Sequence, residues 1–394
     1  MAEHAPRRYN LRPIFPDLES SACGGALDLP NTHRIPVGWL LAHGGEVIRY
    51  RTFAELALPG TIAQETIDSA LAGVEPSRAV QAVIKKQKEN GTWGGNLLGV
   101  SASASLGIKD VGTVPQYRRL IQLGLPASAR PFKLTDRLLF RLLSRDEDPA
   151  LLFEFQKPAK GEEPFGQWTR GLVREAATTA LAEAGNIEDP RVRGAAHKIA
   201  SDVSEFLRSP LSQKPFVRSG SSTALHPEAN PPNWYSLAMI AAMPNLQRER
   251  AGFRDRLVNY LSAAQPKKPY VLALGKKRVK PSHILLGDPI EADSKGLPKD
   301  IPLALHFLEL LARLGGVSQS PAATKVLSRL LKDCDANGVW SPKGLRGAPK
   351  AVSTASYHMF PLDLESKAPE WKQVDVTFRL SLIAKLMGWS LEYV

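Results

Sequence analysis

The sequence predicts an all-α protein assembled from repeated helical hairpins. Three observations lead there. Apolar residues recur at helical spacing along most of the chain, prolines and glycines punctuate the helices at matching places, and an Asn-Gly-x-Trp turn closes two of the hairpins. Helix pairs that bury their faces only against neighbouring pairs imply one stacked or closed array. The organisation read from this is an extended segment over 1–35 followed by a single helical-repeat domain over 36–394.

Thr61 to Ala72 carries a helical pattern, Pro76 opens the next helix, and Gln87-Lys88-Glu89-Asn90-Gly91-Thr92-Trp93 closes the pair. A second copy begins at Thr113, with Tyr117, Leu120, Ile121 and Leu123 ahead of Gly124, and Pro131 opens a helix that runs through Leu143. Its closing turn is expected between Gln156 and Trp168. Helices follow over Thr169–Ala184, Pro190–Leu207, Trp234–Met243 and Arg248–Ala264, and the Pro- and Ser-rich stretch 209–232 between them reads as a loop insertion. An insertion over 267–290 holds two short apolar or alternating runs around Gly275-Lys276-Lys277, the pattern of a β-hairpin near 270–286.

Ile301 to Leu314 is apolar almost all round and stops at Gly315-Gly316, as a largely buried helix does. After Pro321 another helix runs to the polar turn Asp333-Cys334-Asp335-Ala336-Asn337-Gly338, then Val339-Trp340. Pro to Gly spans 15 residues in the first copy (76 to 91) and 17 here (321 to 338), so the two units match within about half a turn. Asp375 to Gly388 reads as one more first-type helix with Asp375 as its N-cap.

Composition narrows the function classes. With 394 residues and 43% hydrophobic content the chain can bury a sizeable core, so disordered and fibrous classes are out. Two cysteines, Cys23 and Cys334, do not make a disulfide framework or a cysteine-based zinc site. The first sixteen residues hold arginines but no apolar core of a secretory signal, no stretch reaches the length of a membrane span, and a cytoplasmic protein is expected. Lys+Arg 51 against Asp+Glu 39 gives a net charge of +12, a bias toward anionic partners.

Gln87-x-x-x-Gly91-x-Trp93 resembles the repeat signature of the terpene cyclase and protein prenyltransferase superfamily, in which such turns tie helix pairs into an α/α toroid. The stretches 113–124 and 377–388 resemble its inner-helix pattern, and 302–340 resembles a whole unit with Cys334 where glutamine is usual. The resemblance implies an apolar central cavity for an isoprenoid or other hydrophobic small molecule, with a diphosphate held by cations. It makes Gln87, Gly91, Trp93, Gly338 and Trp340 architectural residues: the amide caps a helix end, glycine supplies the turn, and tryptophan covers the adjacent pair.

The catalytic motifs implied by that resemblance are incomplete. The Asp-x-Asp-Asp acid of the cyclases is absent; the nearest carboxylates are Asp333, Asp335 and Asp375, of which the first two also suit an Asx-rich turn and the third a helix cap. A magnesium-binding Asp-Asp-x-x-Asp is missing, and the zinc site of the prenyltransferases finds only His358, after Tyr357, as a candidate ligand, with a hydrogen-bonded histidine as the competing reading. His306 shows no partner at helical spacing. No cofactor follows from the sequence.

Cations do cluster. Arg130, Lys133, Arg137, Arg141 and Arg145 recur at spacings 3, 4, 4 and 4 and share one helix face, opposite Phe132, Leu138, Leu139 and Leu142. Such a face is either solvated and paired with neighbouring acids or a phosphate-binding stripe. Lys276, Lys277 and Arg278, with Lys267, Lys268, Lys280 and Tyr270, form a second cluster on the expected hairpin. The alternative function is therefore a non-enzymatic helical-repeat protein that binds nucleic acid, an anionic membrane surface or another polyanion, or serves as a protein-interaction scaffold.

Overall fold

A computed structural model describes residues 29–58, 60–100, 110–144, 163–351, 353–364 and 368–394. The chain opens on strand β1 (Thr32–Ile35), then α1 (Val37–His43) and α2 (Glu46–Arg51), which runs into a wider π-type turn at Thr52–Leu56. Next come α3 (Gln64–Val74), α4 (Arg78–Ile84), α5 (Thr113–Gln122), α6 (Arg130–Leu143), α7 (Glu163–Glu183) and α8 (Pro190–Arg208). Strands β2 (Phe216–Ser219) and β3 (Ser222–Leu225) precede α9 (Trp234–Ala242), α10 (Pro244–Arg248) and α11 (Phe253–Ser262). Strands β4 (Leu272–Leu274) and β5 (Lys277–Val279) precede α12 (Ile301–Arg313), α13 (Pro321–Leu331), α14 (Trp371–Leu386) and β6 (Ser390–Tyr393). The protein is helix-rich with a few short strands. Among the described residues no helix is long and apolar enough to cross a membrane.

The two Asn-Gly-x-Trp turns have the same geometry. Gly91 sits at φ +83° and Gly338 at φ +88°, the left-handed region that glycine enters without strain. In one turn the amides of Lys88 and Gly91 donate to the carbonyls of Thr92 and Lys88; in the other those of Asp335 and Gly338 donate to Val339 and Asp335. The Trp93 amide donates to Thr113 Oγ1 at 3.1 Å and the Trp340 amide to Thr377 Oγ1 at 3.1 Å, so each turn is pinned to the helix that follows it. Gln87 acts as the sequence suggests: its amide reaches the Gly91 and Pro131 carbonyls and Thr135 Oγ1, tying the turn to the start of α6. Cys334 has no such reach, and its Sγ stays near the Leu330 carbonyl.

Burial divides the helices into two kinds. Residues 113–121 of α5, 234–241 of α9, 304–312 of α12 and 374–384 of α14 are buried on every side. On α6, α8 and α13, buried residues instead alternate at helical period with exposed charges. The buried helices pack in chain order, α5 on α7, α7 on α9, α9 on α12 and α12 on α14. The half-exposed α6, α8 and α13 lie against that series, and α11 packs on α8 and α13. The first and last described elements meet: β1 and β6 pair in parallel from Thr32 with Ser390 to Ile35 with Tyr393, and α14 packs against α2 and the turn after it.

Several elements depart from expectation. The loop 209–232 contains the antiparallel hairpin β2–β3, and the expected hairpin is β4–β5, turning at Gly275 (φ +62°). The two hairpins touch through a bridge between Ala224 and Val271. Phe165-Gly166-Gln167-Trp168 is no closing turn, because α7 begins at Glu163 and carries these residues in its first turns. Asp375 is not an N-cap. Its helix begins at Trp371, since Trp371 to Val374 contains nothing that breaks a helix, and Asp375 is therefore buried in the second turn.

Candidate functional site

The fully buried helices do not meet through apolar side chains alone. From α5 come Gln116, Arg118, Arg119 and Gln122, from α12 His306 and Glu309, from α14 Asp375 and Arg379, and all of these but Gln122 are buried. Arg118 makes a two-pronged ion pair with Glu183 of α7 (2.6 and 2.7 Å). Arg379 donates to Glu309 (2.8 Å) and Gln122 Oε1 (3.0 Å), and Arg313 closes on the other Glu309 oxygen at 2.8 Å. Arg51, paired with Glu55, donates to the Gln122 carbonyl at 3.0 Å.

A segment between α13 and α14, 353–364, runs through this cluster. Ser356, His358, Met359, Phe360 and Leu362 are all buried. Its backbone supplies partners that the helices lack: the His358 carbonyl accepts from Arg119 (3.3 Å), the Met359 carbonyl from Arg379 (3.1 Å), and the Leu362 amide donates to Asp375 (2.9 Å). The His358 ring meets His306 edge to face at 4.9 Å, and His306 stacks on Trp234 at 5.4 Å. Polar atoms are left over. Both His306 nitrogens, His358 Nε2, Gln116 Oε1 and Asp375 Oδ1 are buried without a hydrogen-bond partner. An orphaned buried polar atom costs about 1–3 kcal/mol, so five of them in one cluster are a local cost to the fold.

Burial sets the charges. It pushes His306 down to about 3 and His358 well below the usual imidazole range, with Arg118 adding to both, so both rings are neutral. Burial raises Asp375 to about 6 against the Leu362 amide and Arg119. Glu309 would be raised by burial too, but Arg379 and Arg313 hold it at about 2. Arg119, whose guanidinium donates to the His358 carbonyl, falls to about 10 through burial.

These shifts have opposite consequences for stability. Unfolded, His306 titrates near 6.5, so below that the unfolded chain binds more protons and each further pH unit toward about 3 costs up to about 1.4 kcal/mol. Asp375 works the other way, gaining protons in the folded state between its ordinary value and about 6. A His306→Gln variant isolates the first effect. Between pH 7 and 5 it is expected to lose about 2 kcal/mol less than the unsubstituted protein, read from urea midpoints; parallel pH profiles would show that the ring carries no such burden.

Of the residues singled out from the sequence, Asp375 and His358 fall in this cluster. Asp333 and Asp335 do not. Asp335 accepts the amides of Asn337 and Val339, and Asp333 pairs with Arg329, so both serve the turn before Trp340. Among the described residues no group of three His, Cys, Asp or Glu side chains could hold a metal, and His358 faces a second histidine and arginines instead. Arg130, Lys133, Arg137 and Arg141 are exposed along α6, and Arg145 lies outside the described residues. On the hairpin, Lys276 is exposed, Lys277 lies over the Phe165 ring and Arg278 bonds Ser219.

Arg118, Arg119, Glu309 and Arg379 were missed from the sequence, although a signal existed. Glu309 stands within Leu305-His306-Phe307-Leu308-Glu309-Leu310-Leu311 and Arg379 within Val376-Thr377-Phe378-Arg379-Leu380. A charge inside a helix apolar all round has no solvent face to reach and must be paired inside. Comparison with known proteins adds nothing to this geometry: no family model, curated protein or solved structure matches the chain.

Proposed function

We propose that the protein is a divergent terpene cyclase/prenyltransferase-like α/α toroid whose buried inner helices hold an anionic ligand, an isoprenoid diphosphate being the class that the repeat resemblance implies. The succession α5, α7, α9, α12 and α14, together with the pairing of β1 with β6, supports the toroidal reading. One observation carries the ligand: the buried Arg119 guanidinium leans on the His358 carbonyl beside unpartnered imidazole nitrogens, while Arg379 is shared between Glu309, Gln122 and the Met359 carbonyl. Carbonyls are weak acceptors for buried cations. A phosphate or carboxylate would give charge-assisted bonds about twice as strong, and His306 or His358 could donate a ring N–H to it.

In this reading the segment 353–364 occupies the ligand's place and yields it on binding. Arg118 and Glu309 are committed to ion pairs and position the neighbours. Arg119 is the anion's principal partner. Prenyl diphosphates of graded length and inorganic diphosphate, each tested for a thermal shift with and without magnesium, separate the parts of the proposal. Protection by all of them identifies an anion site, and protection that grows with chain length identifies the isoprenoid. No shift with any would end the reading.

A further inference from the structure

The exposed face of α6 is a second, independent feature. Arg130, Lys133 and Arg137 are exposed and make no hydrogen bond or ion pair to another described residue. The one acid of the helix, Asp136, is turned away and accepts the Tyr117 hydroxyl at 2.7 Å. A row of like charges on one helix face repels itself, so it is a cost that an anion would relieve.

Neighbouring elements extend the row instead of neutralising it. On one side the turn after α4 is fastened to α6, Gln87 to the Pro131 carbonyl and Thr135 to the Gly91 carbonyl, and it presents exposed Lys85, Lys86 and Lys88. On the other side α8 begins against the same helix, with the Arg191 guanidinium 3.9 Å from the Phe140 ring. The acids nearby are few: Asp189 is bound to Arg191, while Glu89 and Glu188 are exposed. No large exposed apolar residue of the described chain lies here, those being Leu58, Leu297 and Val394. Binding in the plane of a membrane needs an apolar face beside the cations, so the chemistry favours a dissolved polyanion.

We infer that the α6 face, with the turn after α4 and the start of α8 beside it, binds the phosphate backbone of nucleic acid without reading its sequence. From Arg130 to Arg137 the row rises through seven residues, about 10 Å, which on a duplex corresponds to about three consecutive phosphates of one strand. This surface is separate from the buried cluster and does not depend on the reading of it.

Fluorescence anisotropy with a labelled 20-base-pair duplex and its single strand, over about 50–200 mM salt, tests the inference. Binding is expected to weaken steeply with salt. The triple variant Arg130→Gln/Lys133→Gln/Arg137→Gln should lose at least about tenfold in affinity and flatten the log–log salt slope on duplex by about 2 to 3. Lys325→Gln/Lys332→Gln, at exposed lysines of α13 and just beyond its end, should leave both unchanged. Circular dichroism checks the fold; should the triple variant lose it, Arg137→Gln alone is expected to reduce the slope by about one. The inference is overturned by no binding at 50 mM salt, by an unchanged slope in the folded variant, or by binding to anionic vesicles and not to either nucleic acid.

Discussion

Replacing Arg379 by alanine is expected to destabilise the protein by about 3–5 kcal/mol, measured by urea unfolding. The guanidinium is wholly buried and joins four elements, bonding Glu309 of α12, Gln122 of α5 and the Met359 carbonyl of the inserted segment from its place on α14. Without it, Glu309 keeps Arg313 but loses one of the two cations that hold it ionised in a dry place. Gln122 and Met359 lose a donor at the same time. Arg379→Met should recover part of the loss, because an apolar side chain of similar length fills the space without needing partners. Equal costs for the two variants would mean that volume, not charge, is what Arg379 supplies.

Trp93→Ala and Trp340→Ala should each cost roughly 3–5 kcal/mol, since both rings are 1% exposed and a cavity of that size does not collapse fully. Phenylalanine tells the two apart. The Trp93 indole N–H donates to the Val83 carbonyl at 2.9 Å, whereas the buried Trp340 indole N–H has no partner. Trp93→Phe is therefore expected to cost about 1 kcal/mol more than Trp340→Phe in thermal or urea unfolding. Equal costs would remove the Val83 bond from the account.

What the sequence showed of the fold was its punctuation. Asn-Gly-x-Trp named two turns with matching backbone bonds, Pro321 and Pro190 opened α13 and α8, and Gly124, Gly315 and Gly388 stand in the left-handed conformation that ends α5, α12 and α14. Where punctuation was missing the reading slipped. Nothing before Asp375 signals that α14 begins a turn earlier, and Phe165-Gly166-Gln167-Trp168 imitates the repeat turn while lying inside α7. The hairpin β2–β3 hid in a proline- and serine-rich stretch because its two four-residue strands are too short to set a period.

The site was legible in pieces only. Asp375 and His358 were picked out one by one from motif fragments, yet Arg119, which bonds the His358 carbonyl, lies 239 residues away in the chain, and a spacing rule sees no such pairing. Asp333 and Asp335 resembled a catalytic pair because an Asx turn and a carboxylate dyad use the same residue types; only the bonds to Asn337, Val339 and Arg329 separate them. By contrast the α6 stripe was read in full for the residues described, because it lies on one helix and helical spacing is enough to find it.

Arg119 decides the central claim, that the buried cluster is an anion site and not packing alone. Isothermal titration of inorganic diphosphate into the unsubstituted protein and into Arg119→Gln measures it directly. A saturable site is expected in the first, weakened at least about tenfold in the second while the circular dichroism spectrum is unchanged. Equal binding by the two, or none by either, would contradict the account.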